Sequence, residues 1–242
     1  MIKLIRNILT LSLILTFIQS CSVTNNFYMN NPVPMEKGKG EVYAGIGTGI
    51  NAKIDSVSES NGDVYFSGQT DIAPILSVGF QAGVTKQFDI RGAVYFPFIV
   101  GGFGVRLGPQ YSFFDSSSDF NMALGVDLGF SVAKDSLGLS GSKSSLDRNS
   151  KGSFSSDIFL PFSYKLADHF SIILTPRYSY NSFFILKNLN SDKSKSYGLS
   201  YPSLTMGLRI YTFYLEFSEL YYNNSFNPHG GICWIIPLNE DQ

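Results

Sequence analysis

From Phe120 to Ala133 the chain alternates without a break. Its even positions are Phe120, Met122, Leu124, Val126, Leu128, Phe130 and Val132, and its odd positions are Asn121, Ala123, Gly125, Asp127, Gly129, Ser131 and Ala133. A period of two marks a strand with two unlike faces, because successive side chains of an extended chain point to opposite sides. A helix cannot produce it. The run is also well beyond the roughly five or six residues of an ordinary globular strand.

The same alternation recurs along the chain. It is clear over Ile72–Lys86, Phe88–Ile99, Phe103–Phe113, Phe170–Asn181 and Ser203–Ile210, and weaker over Glu41–Ala52, Phe154–Leu166, Phe213–Tyr222 and Gly231–Leu238. The predicted fold is all-β, with about ten antiparallel strands and eight as the alternative count. Short turns are expected at Lys86-Gln87, Asp115–Ser118, Ala167-Asp168 and Tyr211-Thr212. Longer polar loops are expected at Asp55–Asp71, Lys134–Ser153, Leu186–Tyr197 and Asn223–Gly230. Short connections on one side and long ones on the other match the two ends of a transmembrane barrel. Pro74, Pro97, Pro109, Pro161, Pro176 and Pro202 fall in or near these strands, and because proline cannot donate to a ladder they are expected at rims or bulges.

The faces decide between two kinds of barrel. One face carries bulky aliphatic and aromatic residues, and the other carries Gly, Ser, Asp and Arg rather than the Lys and Glu of a water-facing surface. Only 15% of residues are charged while 15% are aromatic, which suits an exterior that meets lipid. The predicted architecture is therefore a closed transmembrane β-barrel over residues 41–238, with 239–242 as a tail. Phe88, Phe113, Phe120, Phe170, Tyr211 and Phe213 would girdle its short-turn rim. The competing architecture is a soluble, lipocalin-like cup with an apolar ligand inside.

The first residues indicate the compartment. Lys3 and Arg6 precede a greasy run from Ile8 to Ile18, too short for a spanning helix, and Ile18-Gln19-Ser20 leads into Cys21. This resembles the signal peptide and lipobox of bacterial lipoproteins, which implies cleavage after residue 20 and acylation of Cys21. Residues 21–40, rich in Asn, Pro and Gly, would then form a lipidated tether. The only other cysteine, Cys233, has no partner once Cys21 is acylated, so no disulfide framework is expected.

Inward-facing charges are the candidates for function. They are Asp89, Arg91, Arg106, Asp127, Asp157, Lys165, Arg177, Arg209 and Glu216, of which Arg91, Arg106, Asp127, Asp157, Arg177, Arg209 and Glu216 make the expected lumen network. Unpaired buried charges are costly, so paired charges that fill the lumen are the first expectation. A narrow polar channel or small-solute site is the second.

Other chemistries find little support. The sequence has 18 Lys and Arg against 19 Asp and Glu; two of the bases and none of the acids lie in the signal, leaving −3 after cleavage and no basic field for nucleic acid. No Cys-x-x-Cys or His/Cys cluster suggests a metal, and no cofactor is expected. The two histidines, His169 beside a short turn and His229 in an outer loop, are not tied by sequence to a nucleophile, so no catalysis is expected. The Ser-rich stretch Ser136–Ser153 reads as a surface loop that could meet an extracellular partner.

Taken together, the lipobox at Cys21, the Asn-Pro tether, the Gly40-Glu41-Val42 entry and the hairpin rhythm to Leu238 resemble the small outer-membrane β-barrel proteins of Gram-negative bacteria. That resemblance implies residence in the outer membrane, anchored at Cys21, with membrane lipid as the main partner. It is specific for architecture and says little of activity; the roles expected are a structural or surface-interaction one first, small-solute passage second and a soluble ligand-binding lipoprotein third. The chain departs from such barrels in ending Pro237-Leu238-Asn239-Glu240-Asp241-Gln242 where they commonly end on an aromatic residue.

Overall fold

A computed structural model of the protein describes residues 23–25, 29–60, 63–97, 102–134, 150–186, 196–222 and 225–238. Its strands are β1 (Val23–Asn25), β2 (Gly40–Ser60), β3 (Asp63–Gly83), β4 (Phe88–Pro97), β5 (Gly102–Ser112), β6 (Phe120–Lys134), β7 (Ser150–Phe159), β8 (Phe162–Ala167), β9 (Phe170–Leu186), β10 (Ser196–Ile210), β11 (Phe213–Tyr222) and β12 (Ser225–Leu238). All named pairings are antiparallel. The order β2-β12-β11-β10-β9-β7-β6-β5-β4-β3 closes on itself because β3 pairs back onto β2. Strands β7 and β8 share one place in the wall, since both pair with β6 on one side and β9 on the other. The wall is thus a closed antiparallel barrel of ten strands, as predicted.

Alternation in the sequence becomes inside and outside in the barrel. In β5, Gly102, Gly104, Arg106, Gly108, Gln110 and Ser112 are buried, whereas Phe103, Val105, Leu107, Pro109 and Tyr111 are exposed. In β11, Tyr214, Glu216, Ser218, Leu220 and Tyr222 are buried against exposed Phe213, Leu215, Phe217 and Tyr221. Large apolar residues on the outer face are widely exposed, with Leu107 at 57%, Leu128 at 54% and Trp234 at 58%. In water that surface would forfeit about 25 cal/mol per Å² of apolar area, repeated around the whole wall, whereas a bilayer covers it. The exterior is that of a membrane-spanning barrel, and it removes the soluble cup.

Many inward glycines are set by space. A Cβ on Gly79 would strike the ring of Tyr43, its register partner on β2, and one on Gly104 would strike the ring of Tyr95, its partner on β4. Each aromatic ring lies across the bare backbone of the neighbouring strand, so a bulky residue and a glycine together fill one layer of the lumen.

The short turns lie where they were expected, at 84–87, 113–119, 168–169 and 211–212. Phe113, Phe120, Tyr211 and Phe213 are exposed at this rim. Phe213 stacks on Trp234 at 6.0 Å and Phe120 faces Phe162 at 6.5 Å. The other side differs from expectation. Within the loop expected over 55–71, residues 55–60 and 63–71 instead continue β2 and β3 as paired strands, to Ser60 and from Asp63. Likewise β12 already begins at Ser225, inside the loop expected over Asn223–Gly230. Polar composition misled there, because a hairpin that rises beyond the lipid no longer needs an apolar face. The expected loop cores at 135–149 and 187–195 lie outside the described residues.

Prolines are only partly at breaks. Pro161 marks the interruption between β7 and β8, and pairing between β5 and β6 lapses at Gly108 and Pro109. Pro176 and Pro202, however, sit within β9 and β10, opposite Leu204 and Tyr178. An antiparallel ladder asks each residue to bond toward one neighbour only, so one proline costs one bond and not a strand.

Candidate functional site: a lumen occupied by the N-terminal segment

The interior is built from the inward positions of all ten wall strands together with a segment from outside the wall. Residues Met29, Asn30, Asn31, Pro32 and Pro34 are buried inside the barrel. From Met29 onward, then, the stretch expected as a tether runs within the barrel. Within the lumen the Asn30 side-chain oxygen accepts from Arg91 Nη1 and Nη2 at 3.4 and 3.3 Å and from Arg177 Nη2 at 3.2 Å. The Asn31 carbonyl accepts from Gln110 Nε2 at 2.7 Å and Gln81 Nε2 at 3.3 Å, and the Pro32 carbonyl accepts from Ser112 Oγ at 2.9 Å. The Asn31 amide donates to Glu41 Oε1 at 3.0 Å, and Met35 N donates to both oxygens of Asp89 at 3.2 Å. The segment is thus held from β2, β3, β4, β5 and β9 at once.

At the short-turn rim the segment reverses. Lys37 bridges to Gly83, Gly38 N donates to the Gly83 carbonyl at 3.1 Å, and Gly38 takes φ +82°, a left-handed conformation that glycine adopts without a Cβ clash. The chain then rises as β2. Below the segment a cavity of about 570 Å³ opens among the short turns, bordered by Glu36, Lys39, Asn121, Lys165, His169 and Arg209. Asn31, Val33 and Met35 line it too, so this vestibule ends against the inserted chain.

The predicted charges converge inside the wall. Arg106 Nη1 lies 2.7 Å from Asp157, and its Nη2 donates to Ser155 at 3.2 Å. The other oxygen of Asp157 accepts from Ser179. Arg91 Nη2 is 3.6 Å from Asp127, and Arg209 Nη2 is 2.9 Å from Glu41. Glu216 accepts from Tyr214 Oη at 3.2 Å and Ser218 Oγ at 3.4 Å. The guanidiniums of Arg91 and Arg177 flank one ring, that of Phe159, at 4.5 and 5.7 Å. Asp89 is buried beneath the inserted segment, whereas Lys165 lies out at the rim, 3.0 Å from Asp168, whose exposed carboxyl it holds below the usual range.

Alternation already puts Gln81, Gln110 and Ser112 on the inward face, although only charged residues were singled out there; Glu41, Asn30 and Asn31 were missed as lumen groups. A usable signal existed in the two glutamines at inward wall positions, because buried amides need partners; each finds one on β4, Asp89 for Gln81 and Arg91 for Gln110, and a second on the inserted segment.

The histidines are separated. His169 is exposed and stacks on Tyr211 at 4.5 Å between ring centres. His229 is buried, with Nδ1 3.0 Å from Thr48 Oγ1. Among the described residues no group of three or more His, Cys, Asp or Glu is placed to hold a metal.

No known protein-family profile matches the sequence. No curated protein matches it either. Solved structures similar in outline include the outer membrane protease OmpT from Escherichia coli, at 10% identity over 88% of this chain and 98% of that one, with a TM-score of 0.46. The N-terminal β-barrel domain of Pseudomonas aeruginosa OprF shares 10% identity over 84% and 100%, with a TM-score of 0.34. The P. putida toluene transporter TodX shares 13% over 92% and 74%, also with a TM-score of 0.34. At these values the common ground is the barrel fold class, which hosts unlike functions.

Proposed function

We propose that the protein is an outer-membrane barrel whose polar lumen is a narrow passage for small polar solutes, closed in this conformation by its own N-terminal segment. The observation that carries this reading is where the lumen spends its hydrogen bonds. Gln81, Gln110, Ser112, Asp89, Arg91 and Arg177 all reach to Asn30–Met35, an inserted stretch tied to the wall through the Gly38 turn. A lumen filled for strength alone would be closed by wall side chains, and the vestibule leads to the segment from one side. No catalytic step belongs to this reading. Planar-bilayer recording tests it: the full chain should conduct little, and a variant lacking 23–36 should show discrete openings. If that variant folds and stays silent, the passage does not exist.

A structural or surface-interaction role is the second reading. The wall-to-wall pairs Arg106–Asp157 and Arg91–Asp127 favour it, because each ties two wall strands together across the one between them, with both partners on the wall itself.

A further inference from the structure

We propose that the chain is threaded outward through its own barrel, so that the residues ahead of Val23 leave at the long-loop face and an acyl group on Cys21 enters the outer leaflet. The inner leaflet, where a lipoprotein tether would otherwise start, is out of reach. The threading stands independently of whether the lumen conducts; only the leaflet assignment rests on acylation of Cys21.

Direction comes first. Strand β1 runs antiparallel to β2, with Val23 opposite Asn51, Thr24 opposite Ile50 and Asn25 opposite Gly49. As β2 rises from the short-turn rim, β1 therefore descends toward it, and the descent continues through Asn30, Asn31 and Met35 to Lys37 at Gly83.

Place comes next. Strand β12 stays with β2 only from Gly40 to Gly47. Beyond that, Ile50 shares its parity with the outward Ala44 and Ile46, yet it is fully buried in a cluster with Phe183, Leu199, Tyr201, Leu220 and Tyr222 from the inner faces of β9, β10 and β11. The outer part of β2 has swung inward over the lumen. Strand β1 occupies the edge that β12 vacates and approaches β5, β6 and β7 on the opposite wall. It lies within the barrel's cross-section.

Height settles the side. Asn51 stands eleven residues up β2 from Gly40, roughly 36 Å along the strand at about 3.3 Å per residue. With the strand tilt of membrane barrels that is about 27 Å of height, as tall as their apolar band of roughly 25 Å. Cys21 is two residues from Val23, and two residues span at most about 7 Å. A lipidated Cys21 therefore cannot reach the inner leaflet while Val23 stays at Asn51. Acyl chains gain free energy by burial in lipid, and of the two leaflets the outer is the nearer.

The test is a short epitope inserted between Ser22 and Val23 of the full chain, probed with antibody on intact cells. Parallel chains carry the epitope at Ser116-Ser117, in a short turn, and at Lys143, in the long connection after β6. The threading predicts that the N-terminal epitope shares its side with Lys143 and opposes Ser116-Ser117, whichever way the barrel sits. Detection on the same side as Ser116-Ser117 overturns it. A second measurement covers an insertion that blocks assembly: Thr24→Cys with Ile50→Cys in a Cys233→Ser chain. Paired antiparallel residues lie within disulfide range, so an oxidised loop should appear as a gel shift. Absence of that shift, in a barrel that is otherwise assembled, overturns the proposal equally.

Discussion

Asn31 donates its side-chain amide to Glu41 across 3.0 Å, although one residue lies within the lumen and the other begins the wall. Arg209 reaches the same carboxylate from β10 at 2.9 Å. One acid thus ties the inserted segment, the first wall strand and a strand three places around the barrel. Replacing it with alanine leaves a partly buried guanidinium and a buried amide without their acceptor. Glu41→Ala should lower stability by about 1–3 kcal/mol, the range for groups stranded by loss of a hydrogen-bonding partner. The midpoint of urea unfolding in lipid vesicles measures this; an unchanged midpoint would show that the segment is not held there.

Arg106 and Asp157 form a close charge pair of the lumen at 2.7 Å, both nearly sealed from solvent. Breaking a buried pair from one side usually costs about 3–5 kcal/mol, while replacing both members with apolar residues can be near neutral. Asp157→Leu alone should be strongly destabilising, and Arg106→Met with Asp157→Leu should regain most of the loss. A double-mutant cycle on unfolding free energies checks the coupling, and additive effects would mean that the pair does not act as a unit.

Gly104 gives way to the Tyr95 ring. Gly104→Val should cost about 1–3 kcal/mol through overpacking. The same change in a Tyr95→Ala chain should cost far less, because the ring it strikes is gone. Equal penalties in both backgrounds would place the strain in the backbone and not in that contact.

Leu107 distinguishes a lipid-facing wall from a wet one. It projects from β5 on the outer face at 57% exposure. Leu107→Arg should destabilise the barrel by about 2–4 kcal/mol if the residue lies near the bilayer midplane. Refolding yield and unfolding in vesicles read the effect, and a tolerated arginine would return the soluble cup to consideration.

Cys21→Ser should abolish incorporation of a labelled fatty acid. Persistent labelling would exclude Cys21 as the acceptor.

The wall was legible because its physics is local. Period-two alternation such as that of Phe120–Ala133 states which residues face lipid, and each expected strand has its counterpart in the wall. Arg106 and Asp157 could be named as inward by parity alone, yet their contact depends on the stagger of β5, β6 and β7, which no single strand encodes. Asn30 and Asn31 were harder still. Nothing near them in the chain distinguishes a polar segment solvated by water from one solvated by Gln81, Gln110 and Arg177, because both environments satisfy the same groups. The long hairpin of β2 and β3 was hidden for a related reason. Above the lipid both faces of a strand can be polar, and the periodicity that betrayed the others fades.

The turn at Gly38 has a consequence for assembly. The segment that descends inside the lumen and the strand that closes the wall against β12 are consecutive in the chain, joined by that single reversal. Zipping of β2 onto β12 therefore encloses a neighbour already lying alongside, and no free end has to find its way into a finished cylinder. The wall closes around a stretch of its own chain, and the seam between β2 and β12 is also the one that shuts that stretch in.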